Sequence, residues 1–393
     1  MKKRHNILSK ISGRLSHSGS LSTGEGGGRG LLVGLSFLAF LFSSCQSDDT
    51  DFSAYTDNPI NTIHITYNGN TATVTGDNKN YVTVNGADVV VNTGSHTDSL
   101  LLILSGSTSD GSLLIYREKK YGIQLNGVTI HNADGPAINN QCGKSLYMEV
   151  AAGTTNALTD GTTYAEQSYD QKGALFSEGQ IYFLGTGTLN VTGNSRHAIA
   201  CDDYIVMNQN TTLNVSCTSG NGIKVNDGIW IGNGKLDIDV SSEAGRGIKC
   251  DSVVVISGGN ITINTTGDDV YDPAESDYSS AACIKCDHPF TMSGGTLTMT
   301  SSGDGGKGLN CEGSVTISGG TFSAITSGDN DNSKPKAVKG NGITVSGGSF
   351  HAKVDKSWAC DNGVESDTPS EHITVIGTPS SSTITKKEVK ISF

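Results

Sequence analysis

The sequence predicts an all-β protein built as a single parallel β-helix, a solenoid with glycine-rich turns and loops along its edges. A four-residue phrase of apolar, polar, small, and acidic or amide residues runs from 175–178 (LFSE) to 338–341 (VKGN), and its copies are spaced by 24, 24, 25, 36, 25 and 29 residues. A second phrase alternates apolar residues with Ser, Thr or Asn and is interrupted by Gly-Gly, as in 254–263 (VVISGGNITI). No helical periodicity links these runs, so each strand must pair with its equivalent in the next repeat.

Equivalent apolar residues of successive repeats should stack about 4.8 Å apart in inward columns. Composition agrees with a turn-dense all-β domain, because the 393 residues include 51 glycines, 7 prolines and only 17% charged residues. One predicted column contains Leu189, Leu213, Leu236, Ile261, Leu297, Phe322 and Phe350. A second contains Ile231, Ile256, Met292, Ile317 and Val345.

The start of the chain has the pattern of an export signal. Basic residues precede an apolar run at 31–42, which is too short to span a membrane and ends at Ser43-Ser44-Cys45. Small residues directly before a cysteine resemble a bacterial lipoprotein signal. We therefore expect residues 1–45 to be a lipoprotein signal peptide with a lipidated Cys45, followed by an acidic polar tether at 46–61 and the β-helix at 62–393.

The tether resembles export tags that send Bacteroidetes-type lipoproteins to the outer face of the outer membrane, and a plain solvated linker is the alternative. The predicted location is therefore the outer membrane of a Gram-negative cell, with the periplasmic and the external face both open. The lipid is the only membrane contact expected. Removing residues 1–44 takes away six basic residues and one acidic residue, which moves the formal charge from −12 to −17. A surface with this much negative charge repels the phosphate backbone, so nucleic acid is not expected as a partner.

Eight cysteines lie beyond Cys45, and five of them fall at or near one inward column. Stacked ladder side chains point in parallel, which disfavours disulfide geometry, so these cysteines are expected to act as small apolar residues. Strand alternation would place Cys283 and Cys286 on opposite faces and argues against a metal or redox role for this CxxC spacing. The five are Cys201, Cys250, Cys286, Cys311 and Cys360.

Outward positions carry a ladder of lysines and a ladder of acids and amides. Acids stacked about 5 Å apart would repel each other by roughly 3 kcal/mol per pair at an effective dielectric constant of 20. Lysines two residues away in the same coil, Lys249 beside Asp251 and Lys285 beside Asp287, could balance this charge, and a bound cation is the alternative. The lysines are Lys224, Lys249, Lys285 and Lys339, and the other ladder contains Asp202, Asn226, Asp251, Asp287, Glu312 and Asn341.

The longest insertion, at 267–278, places five carboxylates and no basic residue within ten positions. Hard cations prefer such oxygen ligands, so the insertion predicts a calcium site, and a solvated acidic loop is the alternative. Asp304 occupies the corresponding loop before the next coil. The predicted metal ligands are Asp268, Asp269, Asp272, Asp277 and Asp304.

Taken together, these features resemble the bacterial carbohydrate-binding β-helix proteins that look like polysaccharide (pectate) lyases. The resemblance covers roughly residues 62–393. It implies a right-handed parallel β-helix, bound calcium, and binding of plant-type or acidic polysaccharides without established cleavage. It rests on the strand-rich opening at 63–91, on 125–132 (LNGVTIHN), 134–138 (DGPAI) and 153–161 (GTTNALTDG), and on the Ser-Gly-Gly coils.

We therefore expect polysaccharide binding along one face, with Trp230, Lys224, Lys249 and Lys285 as glycan-binding residues. Alternation turns Trp230 outward, in line with threonines of later coils. One alternative is a calcium-dependent polysaccharide lyase with Lys249 or Lys285 as its base, although a lysine paired with acids stays protonated. The other alternative is a non-catalytic adhesin or spacer.

Overall fold

The computed structural model describes residues 61–96, 99–329 and 331–393, all within one compact unit. The predicted signal peptide, the lipidated Cys45 and the tether up to residue 60 lie outside the described residues. The described part of the chain contains 37 strands, one short 3₁₀ helix (Pro369–His372) and no α-helix, so the predicted all-β class is confirmed. Among the same residues, no helical segment has the length and hydropathy needed to cross a membrane.

The strands are short and follow one another closely along the chain. The N-terminal strands are β1 (Asn61–Asn68), β2 (Thr71–Thr75), β3 (Val82–Asn85), β4 (Asp88–Gly94), β5 (Leu100–Thr108), β6 (Ser112–Arg117) and β7 (Tyr121–Asn132). The central strands are β8 (Ile138–Asn140), β9 (Leu146–Val150), β10 (Thr155–Asp160), β11 (Gly173–Ser177), β12 (Ile181–Gly185), β13 (Thr188–Gly193), β14 (His197–Cys201), β15 (Tyr204–Met207), β16 (Thr212–Cys217), β17 (Ile223–Val225), β18 (Gly228–Ile231), β19 (Lys235–Val240), β20 (Arg246–Cys250), β21 (Val253–Ile256) and β22 (Asn260–Thr265).

The longest predicted insertion forms a two-stranded antiparallel hairpin, β23 (Val270–Asp272) and β24 (Asp277–Ser279). The remaining strands are β25 (Ala282–Cys286), β26 (Phe290–Met292), β27 (Thr296–Ser301), β28 (Lys307–Cys311), β29 (Val315–Ile317), β30 (Thr321–Thr326), β31 (Lys336–Lys339), β32 (Ile343–Val345), β33 (Ser349–Val354), β34 (Trp358–Asp361), β35 (Thr374–Val375), β36 (Ser381–Ile384) and β37 (Glu388–Ser392).

From β8 to β33 each coil contributes three strands, and each strand pairs in parallel with its equivalent in the next coil, as the repeat predicted. Face 1 is the stack β4, β6, β8, β11, β14, β17, β20, β25, β28, β31 and β34. Face 2 is the stack β9, β12, β15, β18, β21, β26, β29, β32 and β35. Face 3 is the stack β10, β13, β16, β19, β22, β27, β30 and β33, and β7 contributes to faces 2 and 3.

Both predicted inward columns are confirmed. Strand pairing puts Leu297 opposite Phe322, and Phe322 opposite Phe350, in one of them. The second runs in register from Ile231 through Met292 to Val345. Every member of both columns is fully buried, so the core is a set of continuous apolar ladders along the solenoid.

Antiparallel strands close both ends of the coil stack. At the start, β1 pairs with β2 and β3 pairs with β4. At the end, β37 pairs with both β33 and β36. Covering the terminal coils in this way protects their unpaired backbone groups from edge-to-edge association.

All eight cysteines of the described residues are buried and unpaired by disulfides. Four of them lie in register through Cys201, Val225, Cys250, Cys286 and Cys311, as predicted. Cys360 instead pairs with Val338, in the neighbouring inward column. The expectation that Cys283 faces away from Cys286 is wrong. Cys283 is the second residue of its strand, close to a corner of the coil, and Ala282, Cys283 and Ile284 are all buried there, so strand alternation does not hold.

Candidate functional site

The positive charges of the lysine ladder on face 1 are paired mainly with acids of the next coil. Lys224, Lys249 and Lys285 lie in register on successive strands. Each ammonium group reaches the acid of the following coil: Lys224 Nζ lies 2.6 Å from Asp251, and Lys285 Nζ lies 3.5 Å from Glu312. The interpretation that lysines balance the stacked acids is therefore sound, but Lys285 reaches Glu312 rather than its same-coil neighbour.

Lys249 occupies the middle of this ladder. Its Nζ lies 2.9 Å from Asp251 and 3.1 Å from Asp287, so it bridges two coils. Burial by itself would lower the pKa of Lys249, but the hydrogen bonds to the two carboxylates outweigh burial and raise it. A lysine held protonated in this way is a poor general base.

Trp230 lies on the outer side of face 2 and is half-buried. Its strand pairing places Val255, Thr291, Thr316 and Thr344 in the same column on later coils, as predicted. The indole folds back over Gly228, where an added Cβ would lie only 2.6 Å from Cη2 and 2.7 Å from Cζ3. The ring therefore packs closely against backbone that carries no side chain. We call Trp230 and Gly228 the indole platform.

Three tyrosines that sequence reasoning did not single out continue the row of aromatic rings on face 2. Tyr204 meets Trp230 edge-on at 5.5 Å, and Tyr182 meets Tyr204 edge-on at 5.9 Å. Tyr147 then stacks on Tyr182 at 5.0 Å. Tyr147 and Tyr182 are buried, whereas Tyr204 is half-buried like Trp230. Extending the Trp230 column backwards through Val206 would have found Tyr182 and Tyr147.

Two carboxylates border the indole platform at the corner between faces 1 and 2. Asp203 directly precedes Tyr204, and Asp227 directly precedes Gly228. The backbone N–H of Asp227 donates to the carbonyl oxygen of Asp203 over 2.9 Å. Burial first, and then the nearby Asp227, raise the pKa of Asp203 to about 6. These groups offer hydrogen-bond acceptors beside an aromatic surface.

The predicted metal ligands Asp268 and Asp304 lie on one edge of the solenoid, in equivalent turns of successive coils. Asp268 Oδ1 accepts the backbone N–H of Asp304 at 2.9 Å, and Asp304 Oδ1 accepts that of Asp329 at 2.7 Å. Each carboxylate thus binds the next coil through one oxygen. The glycine before each aspartate packs against the backbone of the coil before it.

The other three predicted ligands use their carboxylates for contacts outside that row. Asp269 Oδ2 accepts the backbone N–H of Ser333 at 2.8 Å. Asp272 and Asp277 face each other across the hairpin and accept local backbone N–H groups. The five ligands do not form a compact acidic group in the described part of the chain.

One compact acidic group does occur among the described residues, on face 1. One ligand atom each from Asp170, Glu178 and Asp202 lie within 4.8 Å of one another. Lys172 Nζ lies 2.9 Å from Asp170 and 2.5 Å from Asp202. The lysine supplies the positive charge that these acids require.

His197 lies at the start of a face 1 strand, where its Nδ1 accepts the backbone N–H of Asn221 at 3.0 Å. Burial first, and then the charges of Lys224 and Arg196, lower the pKa of His197 to about 4. Between roughly pH 6.5 and pH 4 the unfolded histidine therefore binds a proton that the folded one does not. Its contribution to stability is complete above that window and declines as the pH falls through it.

We expect this single histidine to cost about 3 kcal/mol of unfolding free energy between pH 7 and pH 4. Urea unfolding of the wild type and His197→Gln at pH 7, 5 and 4 measures it, because the contributions of the carboxylates cancel in the difference. Equal pH dependence in the two proteins would contradict the assignment.

A family model and a solved structure match this chain. A family model described as "Carbohydrate-binding domain-containing protein" matches residues 85–252 and 237–332. No curated protein matched the sequence. Among solved structures, the chain is similar to the polysaccharide lyase-like protein from C. thermocellum, in a gadolinium derivative, with 24% identity and a TM-score of 0.53. The match covers 66% of this chain and 100% of that one, and at this identity it supports the fold.

Proposed function

The chain belongs to the family of carbohydrate-binding domain-containing proteins, and from this membership we propose that it binds a polysaccharide at the indole platform on face 2. The observation that carries the proposal is the half-buried Trp230, whose ring lies over Gly228 on a row of parallel strands. Aromatic side chains combine a large apolar surface with a polar edge, which suits the apolar C–H face of a sugar ring.

Polar groups around the platform suit the hydroxyls of a sugar. Asp203 and Asp227 supply acceptors at one side, and the threonines of the Trp230 column continue along later coils. Because coils repeat about every 4.8 Å, a polymer lying along the solenoid axis would meet equivalent groups at a regular interval. A few well-placed polar groups beside an apolar surface are typical of ligand sites.

The lysine ladder supports binding better than catalysis. Lys224, Lys249 and Lys285 are half-buried and paired with acids. The ammonium groups of Lys224 and Lys249 each face three acceptors, whereas that of Lys285 lies 3.5 Å from Glu312 and keeps donors that could reach a glycan hydroxyl. The raised pKa of Lys249 weighs against its use as the base of a lyase. We therefore propose a binding protein rather than an enzyme.

The proposal extends to calcium and to location. The acidic edge suits calcium because Asp268 and Asp304 each use one carboxylate oxygen for the next coil and keep the other as a hard ligand, which loop carbonyls could supplement. Calcium bound there would neutralise acids and hold adjacent turns together. The sequence around Cys45 leads us to propose a lipid-anchored outer membrane protein, with the periplasmic face and the cell surface as alternatives.

Binding of the full-length protein to insoluble cellulose and to polygalacturonate, with calcium and with EDTA, tests the proposal. We expect Trp230→Ala to weaken binding about 10-fold or more, equivalent to at least ~1.4 kcal/mol. Gly228→Ala should have a similar effect, because its Cβ would displace the indole and its φ of 144° strains any side chain.

Tyr271→Ala is the matched control, since this ring is 49% exposed on the distant hairpin β23–β24. Unchanged binding by Trp230→Ala would remove the indole platform from the site. Failure of the wild-type protein to bind either polymer would favour the adhesin or spacer alternative, and release of unsaturated uronides would make the protein a lyase.

A further inference from the structure

Among the residues that the structure describes, three cations of face 1 have no acidic partner at ion-pair distance. Arg246, Ala282, Lys307 and Lys336 lie in register on successive strands near the base of the hairpin β23–β24. Lys336 forms an ion pair with Asp361 at 2.8 Å. Within the described residues, Arg246, Lys307 and the exposed Lys339 form no ion pair. This is unusual in a chain whose net charge is −12.

The contacts of the two inner cations are with neutral groups. Arg246 Nη2 donates to Ser279 Oγ at 2.9 Å, while its Nε is buried without an acceptor. Lys307 is only 8% exposed, and its Nζ donates to Ser280 Oγ at 2.5 Å and to the Gly305 carbonyl at 3.1 Å. A buried charge without a counter-charge is strongly unfavourable, so this arrangement needs an explanation.

The nearby acids are already engaged. The Asp269 carboxylate accepts the Ser333 N–H, and Asp287 is bridged by Lys249. Burial first, and then the charge of Lys339, lower the pKa of Lys307 to about 8. Burial likewise lowers the pKa of Arg246. Burial is the first cause of both shifts, as expected for positive charges held away from water.

We propose that Arg246, Lys307 and Lys339, on strands β20, β28 and β31 of face 1, form an extended subsite in which successive sugar carboxylates of an acidic polysaccharide are bound directly by cations rather than through calcium. Guanidinium and ammonium groups make short, charge-assisted hydrogen bonds to carboxylates. Lys339 is exposed to an approaching polymer, Arg246 is half-buried, and Lys307 is buried.

This inference rests on the proposed polysaccharide binding but concerns another face and another chemical group. A sulfate ester offers the same oxyanion chemistry as a carboxylate, so the test includes both. Full-length wild type, Arg246→Gln, Lys339→Gln and the double variant are assayed in EDTA against polygalacturonate, dextran sulfate and cellulose. Thermal unfolding of each variant verifies that it folds.

We expect polygalacturonate binding to persist in EDTA, to fall about 10-fold in each single variant and further in the double variant, and cellulose binding to stay unchanged. Lys353→Gln, which removes an exposed lysine from face 3, is the matched control and should bind like the wild type. Lys307→Met should raise the Tm without ligand, because it removes an uncompensated buried charge, and should still weaken polygalacturonate binding.

Three results would overturn the subsite: unchanged polygalacturonate binding by the double variant, an equal loss in Lys353→Gln, or wild-type binding that disappears in EDTA. Preference for dextran sulfate would reassign the ligand to a sulfate ester. Retained binding to cellulose with any of these results leaves the proposed function standing. Failure to bind any of the three polymers removes both proposals.

Discussion

Gly303→Ala should strongly destabilise the protein, although it adds only one methyl group. An ideal Cβ at this position would lie 1.9 Å from the carbonyl oxygen of Gly267 and 2.4 Å from its carbonyl carbon. Both atoms belong to the backbone of the neighbouring coil, which cannot move aside without breaking strand pairing. We expect a loss of about 3 kcal/mol or more, at the upper end of overpacking effects.

Gly143→Ala is the matched control, because an added Cβ there meets nothing within 4 Å and no positive φ is required. Its unfolding free energy should stay within about 0.5 kcal/mol of the wild type. Thermal and urea unfolding followed by circular dichroism compare the three proteins. Similar midpoints for Gly303→Ala and Gly143→Ala would show that the turns are less tightly stacked than the structure indicates.

The close approach at Gly303 also positions the acidic edge. An added Cβ at Gly328 would lie 1.8 Å from the Gly303 carbonyl oxygen, so the same contact repeats one coil later. Only with glycine can the turns approach closely enough for Asp268 and Asp304 to accept the N–H of the next coil. Gly303→Ala should therefore disturb the proposed calcium ligands along with the fold.

The periodic part of the sequence was sufficient to predict the fold and much of the site. A register that repeats about every 25 residues determines which residues stack, so both inward columns and the threonines after Trp230 followed from spacing alone. The partner of Lys285 did not follow. Asp287 is already bound by Lys249 of the preceding coil, so the ammonium group of Lys285 turns to the next acid of the ladder, Glu312.

The sequence alone did not reveal features that lie outside the repeated phrases. Trp230 pairs with Val206, and Tyr204 lies two residues before Val206, so counting along the repeat does not place the two rings in one column. Arg246 and Lys307 begin their strands at coil corners, just before the phrase that revealed the repeat. Their burial depends on the hairpin β23–β24, an insertion whose packing has no periodic signature. Cys283 was misassigned for a related reason, since alternation fails at a corner.

Phe322→Ala is the second change expected to have a large effect. Phe322 is fully buried, stacks on Phe350 at 5.0 Å with an interplanar angle of 12°, and meets Phe290 edge-on at 6.3 Å. Truncating such a ring leaves a cavity lined by the two remaining rings, and we expect a loss of about 3–5 kcal/mol. Ser323→Ala, an outward neighbour on the same strand, is the control and should change stability by less than about 0.5 kcal/mol.

The coils in which Phe322→Ala lowers stability show whether the coils of the solenoid unfold independently. In a stack where each coil contacts only its neighbours, stability is close to a sum of local terms. Hydrogen exchange should therefore rise first in the coils that carry Phe290, Phe322 and Phe350, while the coils around Leu189 keep their protection. Since Trp230 lies on an earlier coil, glycan binding at the indole platform should survive Phe322→Ala. Uniform loss of protection would instead show that the β-helix unfolds as one cooperative unit.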